Sequence, residues 1–294
     1  MTDLTLGIIG GLGTGLTWAA ISILVRSLSG ALTPVQITAV RSTVGGALLL
    51  VITVASGQGG ELLRAPLWAV LSLWVSILVA MGIGDTLFFA SMDYLGVTRA
   101  LILSMANPLL TTVVGVAFLG EPATLPRVAG ILFVVGGLAL IVSGKGEAAA
   151  ERRGSRRRGL RLVFLAAGAW ALSAIVLKAP LQHLSPTVAT TLRFPVAGLV
   201  LWCTPWTRGT LRAVAAGTPT ERTRLGAICL LSALGSTLFV TGIKYGGVAI
   251  GNVLSSTAPL FTLPYEVWVL GQRPSRQTVL GTVGTMAGIW LMHL

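Results

Sequence analysis

The chain has 294 residues, of which 54% are hydrophobic and only 10% charged, with a mean hydropathy of +0.86 and a formal net charge of +12. A soluble domain carries about 25% charged residues, so this composition excludes a water-soluble globular fold and indicates a polytopic membrane protein. The length suits about ten helical spans of roughly 20 residues with short connections, and leaves no polar stretch long enough for a separate soluble domain.

The first apolar stretch, Leu6 to Val25, follows no basic segment: Asp3 is the only charge before Arg26. It is also too long for the apolar part of a cleaved signal, so it is expected to stay as the first span. Further spans are predicted at about 34–55, 67–91, 97–119 and 126–143. After a basic segment, five more are predicted at about 160–178, 186–206, 225–244, 248–270 and 275–293. All must be helical, because a bilayer offers no partner for free backbone groups. Pro34 and Pro186 suit first-turn positions, where the missing N–H is no loss. Cys203 and Cys229 both fall in apolar segments and read as small buried hydrophobes. His183 and His293 are too far apart to form a metal cluster with them, so no metal or other cofactor is expected.

The two halves repeat each other. A step of 151 residues carries Tyr94-Leu95-Gly96-Val97 onto Tyr245-Gly246-Gly247-Val248, Pro108 onto Pro259, and Gly130 onto Gly281. A step of 152 carries Trp18 onto Trp170, Pro34 onto Pro186 and Arg41 onto Arg193. The fold expected is an all-α membrane protein of ten transmembrane helices, arranged as two inverted five-helix repeats, because an odd helix number flips the second copy. The repeats are assigned to residues 1–143 and 160–294, joined by a basic linker at 144–159. Six of the linker-region arginines lie between Arg152 and Arg161. Such a run reads as a solvated connection rather than a nucleic-acid site. If the spans alternate, fifteen Lys and Arg residues gather on the linker side and four on the other. This places the linker in the cytoplasm and both termini outside a cell membrane.

Glycine spacing at Gly7-Gly11-Gly15, Gly242-Gly246 and Gly284-Gly288 suits close helix contact. The run Gly10 to Gly15 has no following Lys and no preceding strand, so it is a packing face and not a nucleotide loop.

These motifs resemble the EamA-type, ten-helix members of the drug/metabolite transporter superfamily. Leu16-Thr17-Trp18-Ala19 is similar to the family's first-helix tryptophan signature, and Ala169-Trp170-Ala171-Leu172 repeats it. Val40-Arg41 with Gly45-Gly46-Ala47, and Leu192-Arg193-Phe194 with Ala197-Gly198, resemble its arginine-containing second helix. The fullest match is Tyr94 to Ala100, then Asn107-Pro108, Leu119-Gly120-Glu121-Pro122 and Ala129-Gly130. In the second repeat Gln272 replaces the acidic residue, and Ser255-Ser256-Thr257 precedes Pro259. The resemblance implies a secondary transporter that exports an amino acid, a related metabolite or a lipophilic drug-like compound. No nucleotide motif suggests ATP hydrolysis, so coupling is expected to protons or to the solute gradient.

The candidate site follows from broken backbone. Pro108 and Pro259 are each expected to free the carbonyl four residues earlier, that of Ser104 and of Ser255, and Pro264 to break the ladder again. Freed carbonyls in a bilayer must face a cavity, water or a neighbouring side chain. Ser104, Asn107, Asn252, Ser255 and Ser256 stand beside them as candidate substrate contacts; a kink satisfied by local hydroxyls is the plainer alternative. Trp18 and Trp170 occupy equivalent places and form either symmetric cavity walls or ordinary packing. Arg41, Asp85, Arg193 and Glu266 lie within apolar spans, where facing lipid costs several kcal/mol. The arginines, expected near opposite membrane faces, either hold a substrate carboxylate, pair with Asp85 and Glu266, or lock helices. Asp85 is the first candidate for a proton-carrying or amine-binding carboxylate and Glu266 the second. Tyr94 and Tyr245 either gate the two mouths or sit in the interfacial belt. The partners expected are a small-molecule substrate and the lipid bilayer, with no nucleic acid. The other function class, a membrane enzyme acting on a lipid or isoprenoid, would need clustered carboxylates or histidines, whereas the nine acidic residues here are scattered.

Overall fold

A computed structural model of the chain describes residues 2–118, 124–143, 156–268 and 275–291. Every regular element among them is helical. Helix α1 (Asp3–Ser27) is capped by the Thr2 side chain, and α2 (Pro34–Ala55) opens with a capping box between Thr33 and Gln36 and a proline in its first turn. After a short helix at Gly59–Arg64, α3 (Leu67–Leu95) is α-helical to Ile77, π-helical over Leu78–Asp85 and α-helical again from Thr86. The first half ends with α4 (Val97–Ser104), α5 (Ala106–Phe118) and α6 (Leu125–Ser143). The second half holds α7 (Arg156–Lys178), α8 (Pro186–Trp202), a short helix at Thr210–Ala216, α9 (Pro219–Ser255), α10 (Ala258–Trp268) and α11 (Arg276–Leu291).

The result is an all-α membrane protein. Six helical stretches among the described residues are long and apolar enough to cross a bilayer, and Pro186–Trp202 with Pro205–Ala216, bent by 85°, makes a seventh if the pair is one broken span. The remaining stretches are shorter or cut: Val128–Ile141 is a shorter apolar helix, and the chain beyond Gly247 is interrupted at Ser256 and Thr257. Two boundaries differ from expectation. α7 begins at Arg156, so Arg156, Arg157 and Arg158 belong to a helix; the rest of the linker, 144–155, lies outside the described residues. α9 begins at Pro219, where Thr218 and Glu221 form a capping box that the hydropathy pattern alone does not register.

The duplication is visible in the backbone. Gly96 (φ 78°, ψ 166°) and Gly247 (φ 77°, ψ 166°) hold the same left-handed turn at equivalent places. Only glycine adopts it without strain. In each copy an eight-residue half-helix follows, Val97–Ser104 in one and Val248 to Ser255 in the other, before a break and a second half-helix. The breaks fall at Met105 and at Ser256–Thr257. Pro108 and Pro259 stand just after them, in the first turn of α5 and of α10, where the missing N–H is tolerated. They permit the second half-helix to start rather than kink a continuous one. Pro264, expected as a further break, lies inside α10 without interrupting it.

Packing pairs the copies crosswise. α1 lies along α9 and α7 along α3, so the first helix of each repeat packs on the third helix of the other. α2 packs on α8 and α6 on α11, each with its own counterpart. This pattern is that of a two-fold axis relating the halves. Close approach depends on small residues, since lipid supplies no hydrophobic drive between helices. A Cβ on Gly10 would lie 2.5 Å from the Gly242 nitrogen, and one on Gly7 2.6 Å from the Gly246 Cα. The equivalent crossing places Gly159 of α7 against Tyr94 and Leu95. Glu61 adds a polar tie between halves: its carboxylate accepts the Ser185 amide at 2.6 Å and the Ser185 hydroxyl at 3.0 Å, at the start of α8. Gly10→Leu is expected to destabilise the protein by about 2 kcal/mol or more, because its neighbours are backbone and cannot yield. Gly136→Leu, with nothing within 4 Å, is expected to be tolerated. Thermal unfolding of the two variants in detergent checks this contrast.

Candidate functional site

Between the halves lies a cavity with an empty volume of about 960 Å³, counting the part open to solvent. Its walls come from α1 (Thr14, Thr17, Trp18, Ile21), α3 (Ile77, Ala80, Met81, Asp85), the α4–α5 break (Leu101, Ser104, Met105, Asn107) and α7 (Trp170, Ser173). α9 adds Ser232, Gly235, Ser236, Phe239 and Ser255, and Ser256, Ala258 and Pro259 close the wall at the second break. α2 and α8 contribute Arg41, Arg193 and Phe194. Both broken helices therefore turn their breaks toward this space.

The charged centre joins five helices, α1, α2, α3, α7 and α9. The Arg41 guanidinium is ion-paired with Asp85 and donates to the Ser232 hydroxyl at 3.2 Å. It also lies 5.2 Å from the Phe89 ring centroid and 5.9 Å from that of Trp18, as cation–π contacts. The other carboxylate oxygen of Asp85 accepts from the Trp170 indole N–H at 2.7 Å. That N–H also reaches the Ala80 carbonyl at 3.2 Å. Ala80 and Asp85 are five residues apart in the π-helical stretch, whose i→i+5 winding stacks them on one side. The approach of Trp170 requires Gly84: an added Cβ there would meet the indole nitrogen at 2.6 Å.

Arg193 is placed differently. It is 2% exposed, and its terminal nitrogen donates to the Ser76 hydroxyl at 3.3 Å. Ser76 in turn bonds the Ser173 hydroxyl at 2.9 Å and its carbonyl at 3.0 Å. The Nε of Arg193 is buried without a partner. The two arginines, expected near opposite faces, line one cavity, because α2 and α8 pack against each other at the two-fold axis.

Of the residues singled out from sequence, the structure brings together Trp18, Arg41, Asp85, Ser104, Asn107, Trp170, Arg193, Ser255, Ser256 and Pro259. Trp18 and Trp170 meet edge to face, with centroids 5.5 Å apart; Phe89 stacks on Trp18 and Phe88 packs tilted against both, outside the cavity lining. Asn252 is buried without a side-chain partner and does not line the cavity; its equivalent under the repeat, Leu101, does. Tyr94 and Tyr245 do not line it either: Tyr94 lies against Arg158 and Tyr245 beside Lys244, at the helix ends. Glu266 lies in α10, with its side chain outside the described residues. Sequence reading passed over Ser173, Ser232 and Ser236, whereas Gly84, the small residue beside Asp85, reads as permitting the close helix approach that Trp170 makes there. Two signals point to the three serines: Ser173 falls three residues after Trp170 on one helix face, and the 151-residue step carries Asp85 onto Ser236, with Ser232 one turn before it. Among the described residues no cluster of His, Cys, Asp and Glu could hold a metal, and both cysteines are free.

The profile of the EamA-like transporter family matches residues 5–143 and, a second time, residues 157–294. A protein of Archaeoglobus fulgidus described as an uncharacterized transporter is 32% identical over 136 residues, which is 46% of this chain and 47% of that relative. The match thus spans about half the length of that relative. A solved crystal structure, described only as that of a protein, aligns over 99% of this chain and 98% of its own with a TM-score of 0.70 and 19% identity, a likeness of fold. With two copies of the matched unit filling nearly its whole length, the chain belongs to the EamA-like transporter family.

Proposed function

We propose that the protein is a secondary transporter that exports a small organic metabolite, such as an amino acid or a related compound, by alternating access around the central cavity. The observation that carries this reading is a cavity walled by both repeats, with both broken helices facing it. Membership of a transporter family supports it. Half-helices leave backbone groups free for a solute, and rocking of one repeat against the other exposes the site to each side in turn. The ion pair of Arg26 with Asp93 ties the end of α1 to the end of α3 on the side where α7 begins, which supports a state closed at that mouth. The counterparts of this pair under the repeat are Lys178 and Lys244, two cations that cannot form the same ion pair.

Asp85 is proposed to couple transport to protons. A proton on its carboxylate weakens the Arg41 pair and the Trp170 bond, and so loosens a joint between the repeats. Purified protein in proteoliposomes is expected to move labelled solute unaltered, whereas an enzyme would change it. In that assay Asp85→Asn is expected to cut flux about tenfold and to flatten its pH dependence, since the variant cannot gain or lose the proton and leaves Arg41 unpaired. PH-dependent flux equal to that of the parent protein would reject the coupling role. The positive-charge bias supports a cytoplasmic linker and extracytoplasmic termini. A phosphatase fused after Leu294 is accordingly expected to be active outside the membrane and silent within the cytoplasm.

A further inference from the structure

We infer that the cavity takes a small organic monoanion, a carboxylate on an apolar body, and that Arg193 receives the carboxylate. The inference deepens the transport reading and rests on it for the cavity being the substrate site. Three charged side chains line the cavity among the described residues: Arg41, Asp85 and Arg193. Two of them are already spent on each other. Arg41 has Asp85, Ser232 and an aromatic face, and both oxygens of Asp85 are occupied, one by Arg41 and one by Trp170. Arg193 is just as deeply buried as Arg41, at 2% exposure, yet its recorded partner is a neutral hydroxyl at 3.3 Å. No carboxylate of the described residues comes within ion-pairing distance of it.

The repeat explains the vacancy. Arg41 pairs within its own copy with Asp85, and the residue in the corresponding place of the second copy is Ser236. Among the described residues Arg193 therefore has no carboxylate of its own and only shares the field of Asp85, which is already paired with Arg41, so the described lining keeps one excess positive charge. A guanidinium removed from water is costly unless paired. An entering carboxylate supplies that pair, and the planar fork of arginine binds it through two parallel hydrogen bonds. A cationic solute meets the opposite situation: it must approach Arg193 and finds Asp85 already engaged. One excess charge favours one anionic group. Trp18, Trp170, Phe194, Phe239, Ile77 and Met81 supply an apolar and aromatic wall for the rest of the molecule.

The test uses three probes of one shape in nanodisc-embedded protein, with binding followed by calorimetry: 3-phenylpropanoate, 3-phenylpropanamide and 3-phenylpropylammonium. The carboxylate is expected to bind at least about tenfold more tightly than either of the others. Arg193→Gln is expected to erase that preference, and Arg193→Lys to keep part of it. Equal affinities, a preference that survives Arg193→Gln, or no binding of the carboxylate each overturns the inference. The three-probe comparison on the unaltered protein decides the matter even if the glutamine variant fails to fold. Flux in proteoliposomes separates the two levels. A carboxylate that binds through Arg193 but is never carried removes the transport reading and leaves the anion site. Uptake of all three probes at similar rates keeps transport and removes the anion site.

Discussion

A carboxylate and a guanidinium cannot face hydrocarbon, and the architecture around Asp85 and Arg41 follows from that constraint. Their pair lies between α2 and α3 of the first repeat, and Trp170 of the second repeat completes it. The indole can reach Asp85 only because α3 widens into a π-helix at this level and because residue 84 has no side chain. The widened turn brings the Ala80 carbonyl and the Asp85 carboxylate to one nitrogen, so a single donor serves a backbone group and a charge together. One local irregularity thereby links a helix distortion, a buried ion pair and the contact between repeats.

Symmetry of scaffold is combined with asymmetry of chemistry. Gly96 and Gly247 turn the chain by the same dihedrals, equivalent half-helices follow, and each first helix packs on the other copy's third. The duplicated frame by itself makes the two copies equivalent. Side chains remove the degeneracy. Asp85 corresponds to Ser236, and the Arg26–Asp93 pair corresponds to two lysines. The first difference gives the cavity its charge.

The sequence by itself determined the solvent, the duplication and the family. Hydropathy identifies helices because lipid tolerates no other open backbone, and the 151-residue step between Gly96 and Gly247 survives because only glycine makes that turn. It also singled out Arg41, Asp85 and Arg193, since charges in apolar spans stand out against their neighbours. It did not determine who pairs with whom. Arg41 and Asp85 are 44 residues apart and Trp170 and Asp85 are 85 apart, and no periodicity within one helix reports a contact made between helices. The register of packing likewise left Asn252 outside the cavity and Ser173 and Ser232 inside it. The π-helix was likewise not apparent, because its apolar residues read as an ordinary span. Tertiary structure alone decided which buried arginine has a carboxylate partner among the described residues and which reaches only a hydroxyl.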